Sequence, residues 1–187
     1  MTIVQHSLVT TRLGDVRVAV PSSWPKDYGF ILIAGSLCDN PIVRIQSRCA
    51  YGDVFGSLHC DCAQQLDAAC AILRNQGGLL FYLEQEGRGA GGAIKARAYR
   101  AHETEGVDTF QFYKSIHLSE DMRDYAPVAD ALRQMNICSI RLLTNNPMKI
   151  DAVQSRGIAV THLPLAMPDT KHSKAYLLAK RQHGHLL

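Results

Sequence analysis

The sequence predicts an α/β fold: a single domain over residues 1–187 with a mixed central sheet flanked by helices. Two observations predict it. From about residue 62 onward, short apolar runs alternate with helical patterns that close on glycine. The 187 residues, 47% hydrophobic, are also enough to build a full core without disulfides. Taken in order, "HSLVTTRLGDVRVAVP" reads as a hairpin, and "FILIAG" and "IVRIQS" as strands. A helix is expected from about 62 to 76, where Leu66, Cys70 and Leu73 share a face and Gly77 and Gly78 end the pattern. Next come a strand "LLFYL", a glycine-rich turn, a helix near 93–104, a second helix "PVADALRQM" and a strand "SIRLL". After "TNNP" follow a helix "MKIDAVQSR" ending at Gly157, a strand "IAVTHL", and a last helix "KAYLLAKRQ" ending at Gly184. No repeat, linker or low-complexity tract interrupts the pattern.

The formal charge of +3 is scattered rather than gathered in a tail. That balance suits a soluble enzyme handling anionic metabolites. With a single Trp24, it argues against nucleic acid as a partner. "MTIVQHSLVTTRLGD" lacks the basic start and apolar core of a signal peptide, and no apolar run approaches the roughly 20 residues of a membrane span. The expectation is a cytoplasmic protein with no membrane contact.

In that reducing compartment six cysteines are not read as a disulfide framework. Cys70, on the helical stripe, and Cys138, in "ICSIRLL", read as small core hydrophobes, and Cys38 as a loop residue. Cys49, Cys60 and Cys62 are different. They fall between a strand and a helix with the spacing C-x10-C-x-C, and no fourth Cys or His follows at finger-like spacing. Three thiolates suggest an open catalytic metal site, with His59 or Asp61 as candidates to close it. A structural metal and unliganded cysteines remain open on the spacing alone.

Three further stretches ask for chemistry. Gly87, Gly89 and Gly92 spell G-x-G-x-x-G after a strand and before a helix, formally a dinucleotide fingerprint. Arg88 nevertheless sits where a pyrophosphate would need bare backbone, so a mobile loop with Glu86 and Arg88 as working groups is the preferred reading over a solvated surface loop. "SEDMRDY" reads as a helix entry with Asp121 or Ser119 as N-cap. "TNNPMK" places Thr144, Asn145 and Asn146 before a helix that Pro147 can open, where N–H groups and Lys149 can meet an anion; a plain turn is the equal alternative.

Read together and in order, "RIQSRCAYGDVF", "LHCDCAQQL", "QEGRG", "KARAY", "DMRDY", "RLLTNNPMK" and the terminal "GHLL" resemble the GTP cyclohydrolase II family. The resemblance runs from about Arg44 to the C-terminus and is loose over residues 1–40. It implies a GTP cyclohydrolase II-like α/β domain, a homodimer, and a zinc enzyme that opens the guanine imidazole ring on the way to riboflavin. It implies that Cys49, Cys60 and Cys62 hold catalytic Zn2+, which activates water toward C8 of the purine. Arg123 matches the proposed nucleophile that releases pyrophosphate, with Asp121 as proton acceptor; a purely charge-stabilising Arg123 is the alternative. Tyr99 matches the tyrosine that assists ring opening and release of formate. Arg44, Ser47, Gln65, Glu86, Gly87, Arg88, Thr109, Thr144 and Lys149 match substrate-binding positions for a triphosphate arriving with Mg2+, and Glu86 suits the N–H groups of a guanine edge.

The chain departs from the family pattern beside these residues. Gln46 and Arg48 stand where His and Glu are expected, Ala63 replaces Gly after "CDC", and Met122 replaces Glu before Arg123. "YKSIHLSED" lacks the family's Asn and Leu-Gly landmarks, and "GRGAGG" carries small residues in place of Ile and Leu. A charge reversal next to the first zinc ligand leaves two other readings open: a paralogue with an altered nucleotide or one stopping at the formamidopyrimidine, and a nucleotide sensor without turnover.

Overall fold

The computed structural model describes residues 3–11, 13–165, 167–168 and 170–186. Arg12 of the predicted hairpin and Leu187 of "GHLL" lie outside them. Strands β1 (Ile3–Thr11), β2 (Gly14–Pro21) and β3 (Gly29–Ala34) form an antiparallel meander. Then follow β4 (Ile42–Ser47), a short helix α1 (Ala50–Asp53), α2 (Cys62–Gln76) and β5 (Gly78–Leu83). A 3-10 turn at Glu86–Gly89 leads to α3 (Gly92–Glu105), α4 (Thr109–Ser115) and α5 (Ala126–Gln134). The chain continues through β6 (Ser139–Leu143), α6 (Pro147–Gln154), β7 (Ala159–Leu163) and α7 (Lys174–Gln182).

One seven-stranded sheet runs in the order β1-β2-β3-β5-β4-β6-β7. It is antiparallel as far as β5 and parallel from β5 through β4 and β6 to β7, which is the predicted mixed α/β class. A parallel half must be covered on both faces because its crossovers lie there. Accordingly Val43, Ile45, Leu79, Phe81, Ile140 and Leu142 pack on one side with α5, while Ile42, Leu80 and Leu143 pack on the other with Leu66, Cys70 and Leu73 of α2. Among the described residues, no helix is long and apolar enough to cross a membrane.

The register puts the carboxyl ends of β4, β5 and β6 side by side, Ser47 opposite Leu83 and Arg44 opposite Leu143. In an open α/β sheet that edge is where ligands bind, because crossovers leaving neighbouring strands in opposite directions open a crevice there. The segments that follow these three ends are the ones the sequence marked: Ser47–Cys49, Gln85–Arg88 and Thr144–Lys149.

Several expectations need correction. "SEDMRDY" is not a helix entry: residues 119–125 are irregular, and α5 starts only at Ala126. Asp121 therefore caps no helix. Its Oδ1 accepts from Arg123 N at 3.0 Å, a local turn that competes with helix. Cys138 is exposed rather than core: it lies in the turn between α5 and β6, one residue before the strand that buries Ile140 and Leu142. The turn at Gly87 is built as fixed geometry rather than as slack. Gly87 and Arg88 both adopt left-handed backbone (φ 58° and 53°), Tyr113 Oη donates to Gly87 O at 2.8 Å, and Met122 N donates to Arg88 O at 2.9 Å. A Cβ on Gly89 would lie 3.0 Å from the Met122 carbonyl, so glycine there permits the close approach of the segment carrying Arg123. Two helices were not anticipated: α1, only four residues long, and α4, whose N-cap Asp108 accepts from Phe110 N and Gln111 N.

Candidate active site

Burying Arg44 and Gln46 in a strand covered on both faces is costly unless they are paired. Both side chains lie on the α2 face. Gln46 Oε1 accepts from Arg44 Nε (3.1 Å) and Nη2 (2.6 Å), Gln65 of α2 accepts from Nη2 (2.8 Å), and Leu143 O accepts from Nη1 (3.1 Å). Burial still lowers the Arg44 pKa to about 10. Gln46, the residue in place of the expected histidine, is thus the clamp that orients Arg44. Gln46→Leu is expected to strip two bonds from a buried guanidinium and lower stability by about 1–3 kcal/mol. A urea midpoint unmoved at constant slope would refute that role.

The cysteines converge beyond the end of β4. Cys49 is the N-cap of α1, its Sγ accepting from Gly52 N, while Cys60 and Cys62 flank the N-cap of α2. Their sulfurs all lie within 4.8 Å of one another, with Cys49 and Cys60 3.8 Å apart. For sulfurs about 2.3 Å from a tetrahedral zinc, the edge of the tetrahedron is about 3.8 Å, so the spacing fits that ion. Hydrogen bonds from Cys60 and Cys62, reinforced by the Lys95 ammonium, hold the Cys49 thiol ionised far below the usual range. The same contacts push Cys60 and Cys62 upward, so the three cannot all ionise without a cation among them.

Neither proposed fourth ligand joins the cluster. His59 is exposed and meets His172 edge-on, 6.1 Å between ring centroids. Asp61 is fully buried, and its oxygens are taken by Gln65 Nε2 and Lys180 Nζ, each at 2.5 Å. Arg48 turns to the rim and pairs with Glu84 at 2.6 Å, so its positive charge is answered outside the cluster. Lys95 went unnoticed in the sequence. Its Nζ donates to Cys49 Sγ (3.1 Å) and Glu86 Oε1 (2.6 Å), and the other Glu86 oxygen accepts from Ala50 N (2.5 Å). Burial alone would lower the Lys95 pKa, but the Cys49 thiolate and Glu86 together raise it.

The cleft beside this cluster has two compartments. One is lined by Cys49, Cys62, Glu86, Gly87, Lys95, Tyr99 and Thr109 among others. Tyr99 stacks on Tyr51 with 4.9 Å between centroids, and burial, then the nearby Cys60, raises its pKa so that the hydroxyl stays protonated. The second compartment is strongly basic, with Arg44, Gln65, Thr144, Lys149, Lys180 and His185 in its wall. Lys149 is buried with its Nζ on Ile45 O at 2.8 Å. Burial, then the charges of Arg44 and Arg123, drives its pKa well down. Ser47, Cys62, Arg88 and Arg123 line both compartments. Arg88 Nη2 donates to Thr109 Oγ1 at 3.1 Å. Asp121 lines neither compartment but grips Arg123, accepting from Nε and Nη2.

The metal, catalytic and substrate residues implied by the family resemblance therefore line this cleft or, for Cys60 and Asp121, lie directly behind it, whereas His59 does not. Lys180 and His185 were missed because they arrive from the far end of the chain.

The family described as GTP cyclohydrolase II matches residues 2–163. The riboflavin biosynthesis protein RibBA of Bacillus mycoides is 46% identical over 149 residues, covering 78% of this chain and 37% of that protein. RibBA of Endomicrobium trichonymphae is 38% identical over 183 residues, 95% of this chain and 45% of the relative. RibBA of Staphylococcus epidermidis is 39% identical over 158 residues, 83% and 40% of the two chains. The chain thus spans less than half the length of these curated relatives. With the family match reaching from the first strand to the end of β7, and with that much identity along most of its length, the chain belongs to the GTP cyclohydrolase II family of hydrolytic enzymes.

Proposed function

We propose that the cleft opens the imidazole ring of GTP and releases formate and pyrophosphate, leaving the diaminopyrimidinone ribosyl phosphate of riboflavin synthesis. The observation that carries this reading is the shared wall: one nucleotide can lay its base in the thiol compartment and its phosphates in the basic one, across Ser47, Arg88 and Arg123. Cys49, Cys60 and Cys62 would hold zinc, which when bound supplies Lewis-acid activation of water for attack on the purine. Magnesium would accompany the triphosphate.

Arg44, Gln65, Thr144 and Lys149 form the floor of the phosphate compartment, with Arg44 held in place by Gln46. Glu86 and Gly87 fasten the thiol compartment to the 3-10 turn, Glu86 through Ala50 N–H and Lys95, and Arg88 and Thr109 close its other side. Tyr99, protonated and stacked, is positioned to pass a proton during ring opening and formate release. Tyr99→Phe keeps the stack and removes the hydroxyl. It is expected to slow formate release about 10²-fold or more with zinc content unchanged, and formate release at the parent rate would remove Tyr99 from the chemistry.

A cytoplasmic setting belongs to the same reading. The chain is read as one domain acting as a homodimer, with exposed Val54, Phe55 and Leu58 offering an apolar patch for a second copy. Incubating zinc-loaded protein with magnesium and GTP, then ATP, while following formate, pyrophosphate and nucleotide products by mass spectrometry tests the activity. Formate with pyrophosphate from GTP is the expected result. Gln46, committed to Arg44 where the family pattern has histidine, favours as second reading a paralogue that stops at the formamidopyrimidine or takes another nucleotide. Binding without any product would leave a sensor and sink the enzyme reading.

A further inference from the structure

Resting on the reading of the cleft as a nucleotide site, we propose that Lys180 and His185, carried by α7 and the tail behind it, are further phosphate-binding groups that make the cleft select a triphosphate. Both line the basic compartment with Arg44, Arg88, Arg123 and Lys149. Five Arg and Lys side chains share one wall that carries no carboxylate among the described residues, and with Asp61 on Lys180 and Asp121 on Arg123 behind it the wall keeps a net positive charge that suits a polyanion. An unmet donor points to the same ligand: Asn146 lines the compartment, and its buried Nδ2 meets no acceptor among the described residues.

Lys180 is placed by design of the motif rather than by chance of the surface. Asp61, held between Cys60 and Cys62 and wholly buried, accepts from Lys180 Nζ on one oxygen and from Gln65 on the other. The pair fixes the ammonium at the cleft wall, 119 residues away along the chain from its partner. His185 follows from the anchoring of the tail. Leu186 N donates to Asn145 O at 2.8 Å, behind the turn that carries Thr144 and Asn146. On the other side His183 stacks on Phe110 with 3.6 Å between centroids, while the Arg88 guanidinium lies 3.4 Å from the same ring. Two groups that close must occupy opposite faces, so Phe110 is held between a cleft cation and the tail. His183 Nδ1 also meets Glu120 at 3.2 Å, next to the segment bearing Arg123. The tail is thereby tied to all three banks of the compartment. Burial, then the surrounding Lys180 and Arg123 charges, lowers His185 to about 4, so near neutral pH the imidazole faces the compartment uncharged.

The test compares inorganic tripolyphosphate, which has no ring to open, with GMP, by calorimetry on the zinc-loaded full chain. Lys180→Met and His185→Ala are each expected to weaken tripolyphosphate about tenfold while GMP changes less than about twofold. Zinc content is measured on both, because losing Lys180 leaves Asp61 unpaired between two ligands. If Lys180→Met loses metal, His185→Ala decides alone. Equal losses for GMP and tripolyphosphate, no loss for either, or a parent protein that binds no tripolyphosphate would overturn the assignment. Should the parent bind tripolyphosphate and lose it in these variants yet never open GTP, the phosphate assignment stands and the cyclohydrolase reading falls.

Discussion

Cys60→Ser is expected to lose zinc and at least about 10³ in the rate of formate formation, the several kcal/mol of transition-state stabilisation that a catalytic metal supplies. The thiols of Cys49 and Cys60 are 3.8 Å apart and buried, and a serine oxygen is both shorter and a poorer zinc ligand. The protein should nonetheless fold. Cys60 sits at the entrance to α2, which buries Leu66, Ala69, Cys70 and Leu73 against the sheet without help from the metal. Metal content by plasma emission, activity by formate release and folding by thermal melting separate the possibilities. Full activity with no bound zinc would refute a catalytic metal. Collapse of the fold together with the metal would make the site structural, the alternative that spacing alone left open.

Much of this site was legible because its parts sit in local patterns. The strand "IVRIQS" has the length and composition of a buried parallel strand, and Arg44 and Gln46 inside such a run already signal polar groups that need partners. Glycines marked the turn after β5, and "TNNP" marked the helix start after β6, where Asn146 caps α6 with Pro147 in its first turn. What stayed hidden depends on distant partners. Lys95 was one lysine on a polar helix until the fold brought it to Cys49, and Lys180 pairs with a residue 119 positions away. Cys138 was misjudged because the apolar run "ICSIRLL" does not say where its strand begins, and β6 starts only at Ser139. The glycines at 87 and 89 were read as flexibility, whereas they serve a left-handed turn and a close backbone approach that only tertiary contact reveals.

Arg123→Ala is expected to lower pyrophosphate release about 10²–10³-fold, the usual cost of deleting one preorganised electrostatic group at the reacting centre. Arg123 lines both compartments, as Arg88 does, and so reaches both base and phosphates in the proposed reading. Its grip by Asp121 favours charge stabilisation over nucleophilic attack. A guanidinium must shed a proton to attack phosphorus, and Asp121 would have to take it. Burial alone would raise that carboxyl, but the hydrogen bonds and charge of Arg123 outweigh it and hold Asp121 below the ordinary carboxylate range, making it a weak base. The same pairing keeps the guanidinium protonated. The sign for stability follows: a depressed folded-state pKa contributes above the unfolded value and is lost only as pH falls through the folded one. The pair therefore holds across the neutral range. On this account Arg123→Lys retains part of the rate, since a lysine still supplies charge, and no covalent guanylyl adduct accumulates on the parent protein during turnover. A trapped adduct on Arg123 by intact-protein mass spectrometry, with Arg123→Lys as inactive as Arg123→Ala, would make the arginine the nucleophile after all.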